Sequence, residues 1–279
     1  AINQTIIGYE ATGVADNSVV LGNDDVTAVY MGEDSGATVY AAAFVGDGSG
    51  LTGITGSASS LNDLTDVLVD SNSSMFLGTP PTNSTGSYNT ASGTNSLKDN
   101  TSGYRNTASG DSSLSSNTAG YNNTALGASS LGTNTTGNDN TASGYYSLYF
   151  NTSGESNTAS GSNSLFFNTT GDYNTASGHN SLYANTIGQG NTASGLYSLS
   201  LNTTGNFNTA SGGFSLNSNT EGNNNTALGY AAGGSSPDAI NQTIIGYEAT
   251  GVADNSVVLG NDDVTAVYMG EDSGATVYA

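Results

Sequence analysis

Apolar residues recur along this chain at one phase of a 17-residue period. From Asn89 to Gly233 the unit reads Asn-Thr-Ala-Ser-Gly, two free positions, Ser-Leu, two free positions, Asn-Thr-x-Gly, then two more free positions. Copies begin at Asn89, Asn106, Asn123, Asn140, Asn157, Asn174, Asn191 and Asn208, with a truncated ninth at Asn225, and no insertion interrupts them. Ala at the third position and Leu at the ninth (Leu97, Leu114, Leu131, Leu148, Leu165, Leu182, Leu199 and Leu216) are the only regular apolar positions. They are expected to point inward. A constant period this short predicts a solenoid with one coil per repeat. The expected fold is all-β, a parallel β-roll or β-solenoid of 17-residue coils.

The fixed polar positions have separate expected jobs. Gly at the fifth position (Gly93, Gly110) and the fifteenth (Gly103, Gly120) suits corners that need positive φ. Asn at the first and twelfth positions suits stacked turns, its amide bonding to backbone and to the Asn of the next coil as a ladder. The free positions hold Lys98, Arg105, His179 and every aromatic residue between Asn89 and Asn224, and read as outward-facing. Aromatics concentrate mid-roll at Tyr145, Tyr146, Tyr149, Phe150, Phe166, Phe167, Tyr183 and Tyr197.

Outside the roll the pattern changes. Residues 1–50 read as short β-branched strands, with Gly8 and Gly22 spaced as a coil shorter than that of the roll. Residues 51–82 form a connector or neck. There Leu61, Leu64 and Leu68 fall at the spacing of a short amphipathic helix, while Val67 and Val69 fit a strand. Residues 83–233 are the roll, and 234–279 begin another unit, because 239–279 repeat 1–41 identically. The offset between the two copies is a whole number of coil periods, so the chain reads as a window on a tandem array. A duplicated end added by engineering is the alternative.

Composition narrows the function. A formal charge of -21, with one Lys and one Arg, argues against nucleic acid and anionic membrane surfaces as partners. No apolar run approaches the ~20 residues of a membrane helix. The absence of Cys excludes disulfides and thiolate metal sites. Abundant Gly, Ser, Thr and Asn suggest disorder, but a disordered linker has no reason to hold Leu at one phase for eight copies. The Leu and Ala rows are thin, so pooling them from several chains around one axis is expected, most simply as a homotrimer.

Asn225-Thr226-Ala227-Leu228-Gly229-Tyr230-Ala231-Ala232 and Asn123-Thr124-Ala125-Leu126-Gly127 resemble the head repeats of YadA-type trimeric autotransporter adhesins. They are closer still to the related 17-residue repeats of bacterial surface fibres and phage tail fibres. Ser256-Val257-Val258-Leu259-Gly260 is similar to the 14-residue head repeat. Phe44 to Ile54 looks like a linker common in tail-fibre proteins that end in a self-cleaving chaperone. The resemblance implies a parallel β-roll, usually homotrimeric, outside the cell or on a virion. The chain departs from the family in carrying Ser at the fourth position, where Ile or Val is frequent, so the packing of that strand is expected to differ.

No catalytic constellation is visible. His179 is the only histidine, which removes His-based metal sites and most triads. The acidic pairs Asp24-Asp25, Asp262-Asp263, Glu33-Asp34 and Glu271-Asp272 offer weak Ca²⁺ binding at most, because no full calcium-loop spacing is present. A solvated acidic face is the better reading. No cofactor and no enzymatic activity are expected. The expected partners are further copies of the chain, neighbouring fibres and surface glycans that stack on the aromatics. The leading expectation is a structural and adhesive segment of an extracellular or cell-surface fibre built from tandem copies of the long unit. A viral tail-fibre segment is the second, and a single-chain ice-binding solenoid with a rank of second-position Thr is the third.

Overall fold

The computed structural model describes residues 5–7, 19–21, 67–69, 72–77, 81 and 84–265. The chain divides into two units, 1–56 and 57–279. In the first, β1 (Thr5–Ile7) pairs in parallel with β2 (Val19–Leu21), Thr5 opposite Val19. The register there advances by the shorter step that separates Gly8 from Gly22.

The second unit carries one 13-stranded sheet. It opens with β3 (Val67–Val69) antiparallel to β4 (Met75–Leu77). Strands β5 (Thr90–Ser92) to β12 (Thr209–Ser211) then follow in parallel, one per 17-residue coil. The sheet closes with β13 (Thr226–Leu228), β14 (Thr243–Ile245) and β15 (Val257–Leu259). Equivalent residues face each other across every step of the roll, as in Thr175 opposite Thr192 and Ala176 opposite Ala193. Between β14 and β15 the step shortens to that of β1 and β2, and Thr243 meets Val257.

No helix occurs among the described residues. The expected helix ran through Leu68, but Val67–Val69 is strand β3, with Leu68 opposite Phe76. Alternating β-branched residues gain a hydrogen-bonded partner strand, and that pairing outweighs the weak helical spacing of the leucines. The rest of the expected helix, 61–66, lies outside the described residues. The stack also starts earlier than residue 83, since Met75 sits opposite Thr90 and Phe76 takes the slot that Ala fills in later coils.

Each coil closes its core within one chain. The middle Ala is buried in every strand from β5 to β13, and so is the Leu that follows each strand from β5 to β12, all at no more than 2% exposure. Ser at the fourth position points outward, exposed in β6 and β8 and half-exposed in β5. The departure from Ile or Val therefore changes the outer face and leaves the core alone. The same burial corrects the reasoning that led to a trimer. Leu and Ala rows already packed inside one coil stack are not free to be pooled with another chain.

Hydrogen bonds supply what the thin apolar core does not. Backbone bonds join neighbouring coils on several sides: Thr158 N–H to Asn174 O at 2.8 Å, Leu148 N–H to Ser164 O at 3.0 Å and Thr152 N–H to Thr169 O at 2.9 Å. Two buried asparagine ladders run alongside. At the first position, Asn157 Nδ2 donates to Asn140 Oδ1 (3.1 Å) and to Gly171 O (2.8 Å), and the Asn157 backbone N–H also reaches Asn140 Oδ1 (3.0 Å). At the twelfth, Asn151 Nδ2 donates to Asn134 Oδ1 (2.8 Å) and Gly154 O (3.0 Å). Each amide is both donor and acceptor, so a buried polar row is satisfied internally.

The two glycine positions differ in cause. Gly144 has φ of 141°, a corner open to glycine. Gly154 is outside that region. A Cβ there would lie 2.5 Å from both Asn151 Oδ1 and Gly171 O, so close approach to the asparagine ladder is what demands glycine at the fifteenth position. Left-handed backbone appears elsewhere instead. Tyr146 (φ 57°), Leu148 (φ 50°) and Ser156 (φ 55°) mark the seventh, ninth and seventeenth positions of the coils, and all three conformations recur along the roll.

Two substitutions separate these effects. Asn157→Ala leaves the Asn174 backbone N–H without its acceptor and removes one of the two amide donors to Gly171 O, and is expected to cost on the order of 3 kcal/mol in chemical denaturation. Ser156→Gly relieves a left-handed residue whose side chain is exposed, and is expected to stabilise the fold by about 1 kcal/mol in the same assay.

Candidate interaction surface

An in-register parallel stack sets equivalent positions of neighbouring coils about 4.8 Å apart. Aromatics that occupy one column must therefore lie against each other. The tenth-position rings Tyr149, Phe166 and Tyr183 stack in sequence, with centroids 5.7 and 5.3 Å apart and planes within 14°. The eleventh-position rings Phe150 and Phe167 stack beside them at 5.4 Å and 2°. The two columns meet edge to face, as Phe166 and Phe167 do at 86°. Tyr146 joins from the neighbouring corner, 4.9 Å from Tyr149 and 5.8 Å from Phe166, and Tyr145 leans on Tyr146 at 4.1 Å.

All the aromatics singled out from sequence except Tyr197 thus form one continuous patch. Tyr145, Phe150 and Phe167 are exposed, Tyr145 by 54%. Tyr146, Tyr149, Phe166 and Tyr183 are half-buried against their neighbours. Each contact of this kind is worth about 0.5–1.5 kcal/mol beyond area burial, so the patch braces the coils and also presents rings to solvent. Tyr197 belongs elsewhere. It meets His179 at 5.7 Å and Phe214 at 5.4 Å, in a file that continues through Tyr230 to Tyr247. Tyr104 and Tyr121 form a third stack at 4.9 Å, with the Arg105 guanidinium 5.7 Å from the Tyr104 ring. Sequence reasoning missed these two groupings. Their signal was an aromatic or imidazole ring at the same or the adjacent coil position in consecutive repeats, the sixteenth for Tyr104 and Tyr121 and the sixth or seventh from His179 to Tyr247.

The sixteenth position was also read as free, yet it has a structural role. Asn138 Oδ1 accepts the Tyr121 N–H (2.9 Å), Asp172 Oδ1 the Glu155 N–H (2.7 Å), and Asn206 Oδ1 the Gln189 N–H (2.9 Å). An Asn or Asp recurring at that position was the available signal.

The outer face of the long sheet differs in chemistry. It carries ranks of Thr at the second position and Ser at the fourth, broken by Leu126, and it turns aliphatic at Met75 and Leu77 and at Leu228, Ile245, Val257 and Leu259. Asp262 and Asp263 are exposed beside a shallow cleft that Glu248, Thr250 and Val258 also line. Among the described residues, no group of three or more His, Cys, Asp or Glu is placed to hold a metal ion. The pairs Asp24-Asp25, Glu33-Asp34 and Glu271-Asp272 lie outside the described residues. His179 is exposed on the roll surface. Asn100, Asn134, Asn151, Asn168 and Asn202 each open an Asn-x-Ser/Thr triplet, the acceptor pattern for N-glycosylation, but all five are buried in the ladder and inaccessible to that modification in the folded chain. No helix among the described residues is long and apolar enough to cross a membrane.

The described fold is that of a β-solenoid. No family model, curated protein or solved structure matches the chain.

Neighbouring groups shift three tyrosines upward from the ordinary value of 10.0. For Tyr145 the main cause is its hydrogen bond with Tyr146, followed by desolvation. For Tyr121 it is desolvation, and for Tyr247 the hydrogen bond with Glu248. A raised tyrosine favours the neutral ring in the fold, so its contribution is complete below the unfolded pKa and lost as pH rises through the folded one. Tyr145→Phe is expected to remove a late-titrating component from the tyrosinate absorbance curve. An unchanged late limb would show that Tyr145 titrates normally.

Proposed function

We propose that the chain is a structural and adhesive segment of a long extracellular fibre, acting mainly as a rigid spacer with a recognition patch on its side. The observation that carries this reading is the division of labour within each coil. Fixed residues build an unbroken stack, and variable residues gather rings on one stretch of its surface. A stack joined by backbone bonds at every step resists bending, and repetition adds length without new design. Exposed rings on a polar rod suit sugar faces, which offer C–H groups to a π surface. The same architecture would serve a viral tail fibre, whose attachment differs and whose chemistry is alike.

Assembly as a homotrimer belongs to this proposal. The outer sheet face supports it: Met75, Leu77, Leu228, Ile245, Val257 and Leu259 leave aliphatic surface at both ends of the long sheet. Chains packed through those ends would bury it, and each chain would keep its own Leu and Ala core. The outward Thr ranks favour one further reading, a single-chain solenoid that binds ice through a regular hydroxyl array. Leu126 breaks the ranks within the roll, which weighs against it, and absence of thermal hysteresis in the purified chain would remove it.

Two measurements test the fibre reading. Wild type should retain glycans on an array and Tyr145→Ala/Tyr146→Ala should lose most of that binding, while equal binding by both removes the patch from recognition. Sedimentation should give the mass of three chains, and a stable monomer would overturn the trimer.

A further inference from the structure

The seventeenth coil position is left-handed throughout the roll, with φ of 58° at Tyr173, 65° at Gly190 and 55° at Phe207. Asn fills it at Asn122 and Asn224, and Asn accepts this conformation more readily than larger side chains do. A ring there gives up backbone free energy that packing alone could return. Tyr173 and Phe207 do not pack. They are 67% and 65% exposed, more than any other ring among the described residues, and neither meets another ring. Large apolar surface held out to water at a strained position points to a ligand outside the chain. Tyr88 shares the column at 63% exposure, but Asn122 stands two coils beyond it, where Phe207 stands two coils beyond Tyr173.

The stack sets the spacing of the pair. Gly190 N–H donates to Asp172 O at 3.0 Å and Phe207 N–H to Gln189 O at 2.9 Å, so the coils stay in register at this corner. Two coil steps, about 9.6 Å, therefore separate Tyr173 from Phe207. The backbone conformation is the same at both, and their Cα–Cβ bonds point the same way from the rod. Gly190 between them has no side chain, and the edge of the Phe207 ring leans over it. A Cβ at Gly190 would lie 2.7 Å from Phe207 Cδ1 and 2.9 Å from Cε1. Beside this gap the Gln189 side chain is exposed and makes no hydrogen bond within the chain. Asp172 Oδ1 accepts the Glu155 N–H, and Oδ2 is left open.

Two apolar platforms in line, an open floor between them and a free amide at the side suit a sugar chain. In an extended β-1,4-linked chain each pyranose is turned over relative to the last. Every second unit then shows the same C–H face to one side, at a spacing close to two steps of the stack. We propose that Tyr173 and Phe207 stack on alternate units of a neutral β-1,4-linked glycan that runs along the rod, while the unit between them passes over Gly190 and bonds through its hydroxyls to the Gln189 amide. The Glu155 and Asp172 carboxylates beside Tyr173 repel uronic and sialic acids, which selects neutral sugars. An α-1,4-linked chain coils, turns its successive faces away and cannot meet both rings. The proposal rests on the glycan reading for its purpose and adds a linkage, at residues outside the Tyr145 patch.

Saturation-transfer NMR reads the contact, with irradiation at aromatic proton frequencies and a soluble tetraose of β-1,4-linked glucose as probe. The full chain carrying Tyr145→Ala/Tyr146→Ala serves as parent, which takes the exposed corner of the other patch out of the signal. The tetraose should gain saturation, and adding Tyr173→Asn/Phe207→Asn should reduce it roughly ten-fold. The α-1,4-linked tetraose should gain roughly a tenth as much as its isomer. Asn already fills this coil position at Asn122 and Asn224, so the added substitutions should keep or raise the midpoint of chemical denaturation. Equal saturation of the two isomers, saturation that survives loss of both rings, or none in the folded parent overturns the proposal. The glycan array is read at Tyr145 and Tyr146, so this site can fail while the patch binds, and the reverse.

Discussion

The amide-to-amide hydrogen bond between equivalent asparagines of neighbouring coils is the interaction on which the rest depends. Asn140 Oδ1 accepts both the backbone N–H and the side-chain Nδ2 of Asn157, and Asn123 Oδ1 does the same for Asn140. An amide carries a two-hydrogen donor and a two-lone-pair acceptor on one planar uncharged group, so a row of them can be buried without leaving charge or an unmet group. The geometry works only if successive coils have equal length. One inserted residue would move an Asn out of reach of its partner and strand both in the interior. The strict period is thus a consequence of the ladder, and the ladder forces glycine at positions such as Gly154, where Asn151 lies too close for any side chain.

That constraint explains which parts of the fold could be read from sequence. The solenoid, its parallel strands and the inward Ala and Leu follow from residues that recur in every copy, so pattern alone reveals them. What sequence misjudged were matters of spatial cause. The fifteenth-position glycines looked like left-handed corners because glycine so often serves that purpose, yet crowding demands them. The left-handed corners fall instead on residues such as Leu148 and Ser156, which no propensity table would assign. The Leu and Ala rows looked too thin to stand alone because apolar area was weighed without the buried amide rows that share the interior. At Leu68 the strand that Val67 and Val69 fitted is the alternative realised, and helix and strand stood level in sequence because the partner strand, Met75–Leu77, has no marked pattern of its own.

The aromatic patch was legible in membership and opaque in arrangement. Counting coil positions shows that Tyr149, Phe166 and Tyr183 share a column, and a parallel stack then makes their contact unavoidable. The right-angle meeting of the Phe150 column with the Tyr149 column depends on side-chain torsions that one-dimensional spacing does not encode. The same limit hid the sixteenth position, where Asn138, Asp172 and Asn206 look variable yet share one oxygen in one place. Positions free in residue type can still be constrained in one atom.

Charge is kept sparse along the regular coils. An in-register stack brings like residues within about 4.8 Å of each other, so a carboxylate fixed in every coil would repel its neighbours along the full length. The chain keeps its acids on variable positions and sets amides beside them, as Asn122 donates to Asp139 and Asn138 to Glu155. The acids of the roll are only Asp99, Asp111, Asp139, Glu155, Asp172 and Glu221, set against Lys98 and Arg105, so most of the net charge of -21 belongs to the segments before and after it. Repulsion between two rolls lying side by side is correspondingly modest, and it is concentrated outside the regular coils. The aliphatic ends of the sheet and the ring patch are uncharged surfaces, and each has a different geometry. A lateral partner must match the sheet face, and a ligand must match the rings. With so few charges along the roll, selectivity of contact falls to the shape of those two surfaces and not to electrostatic exclusion.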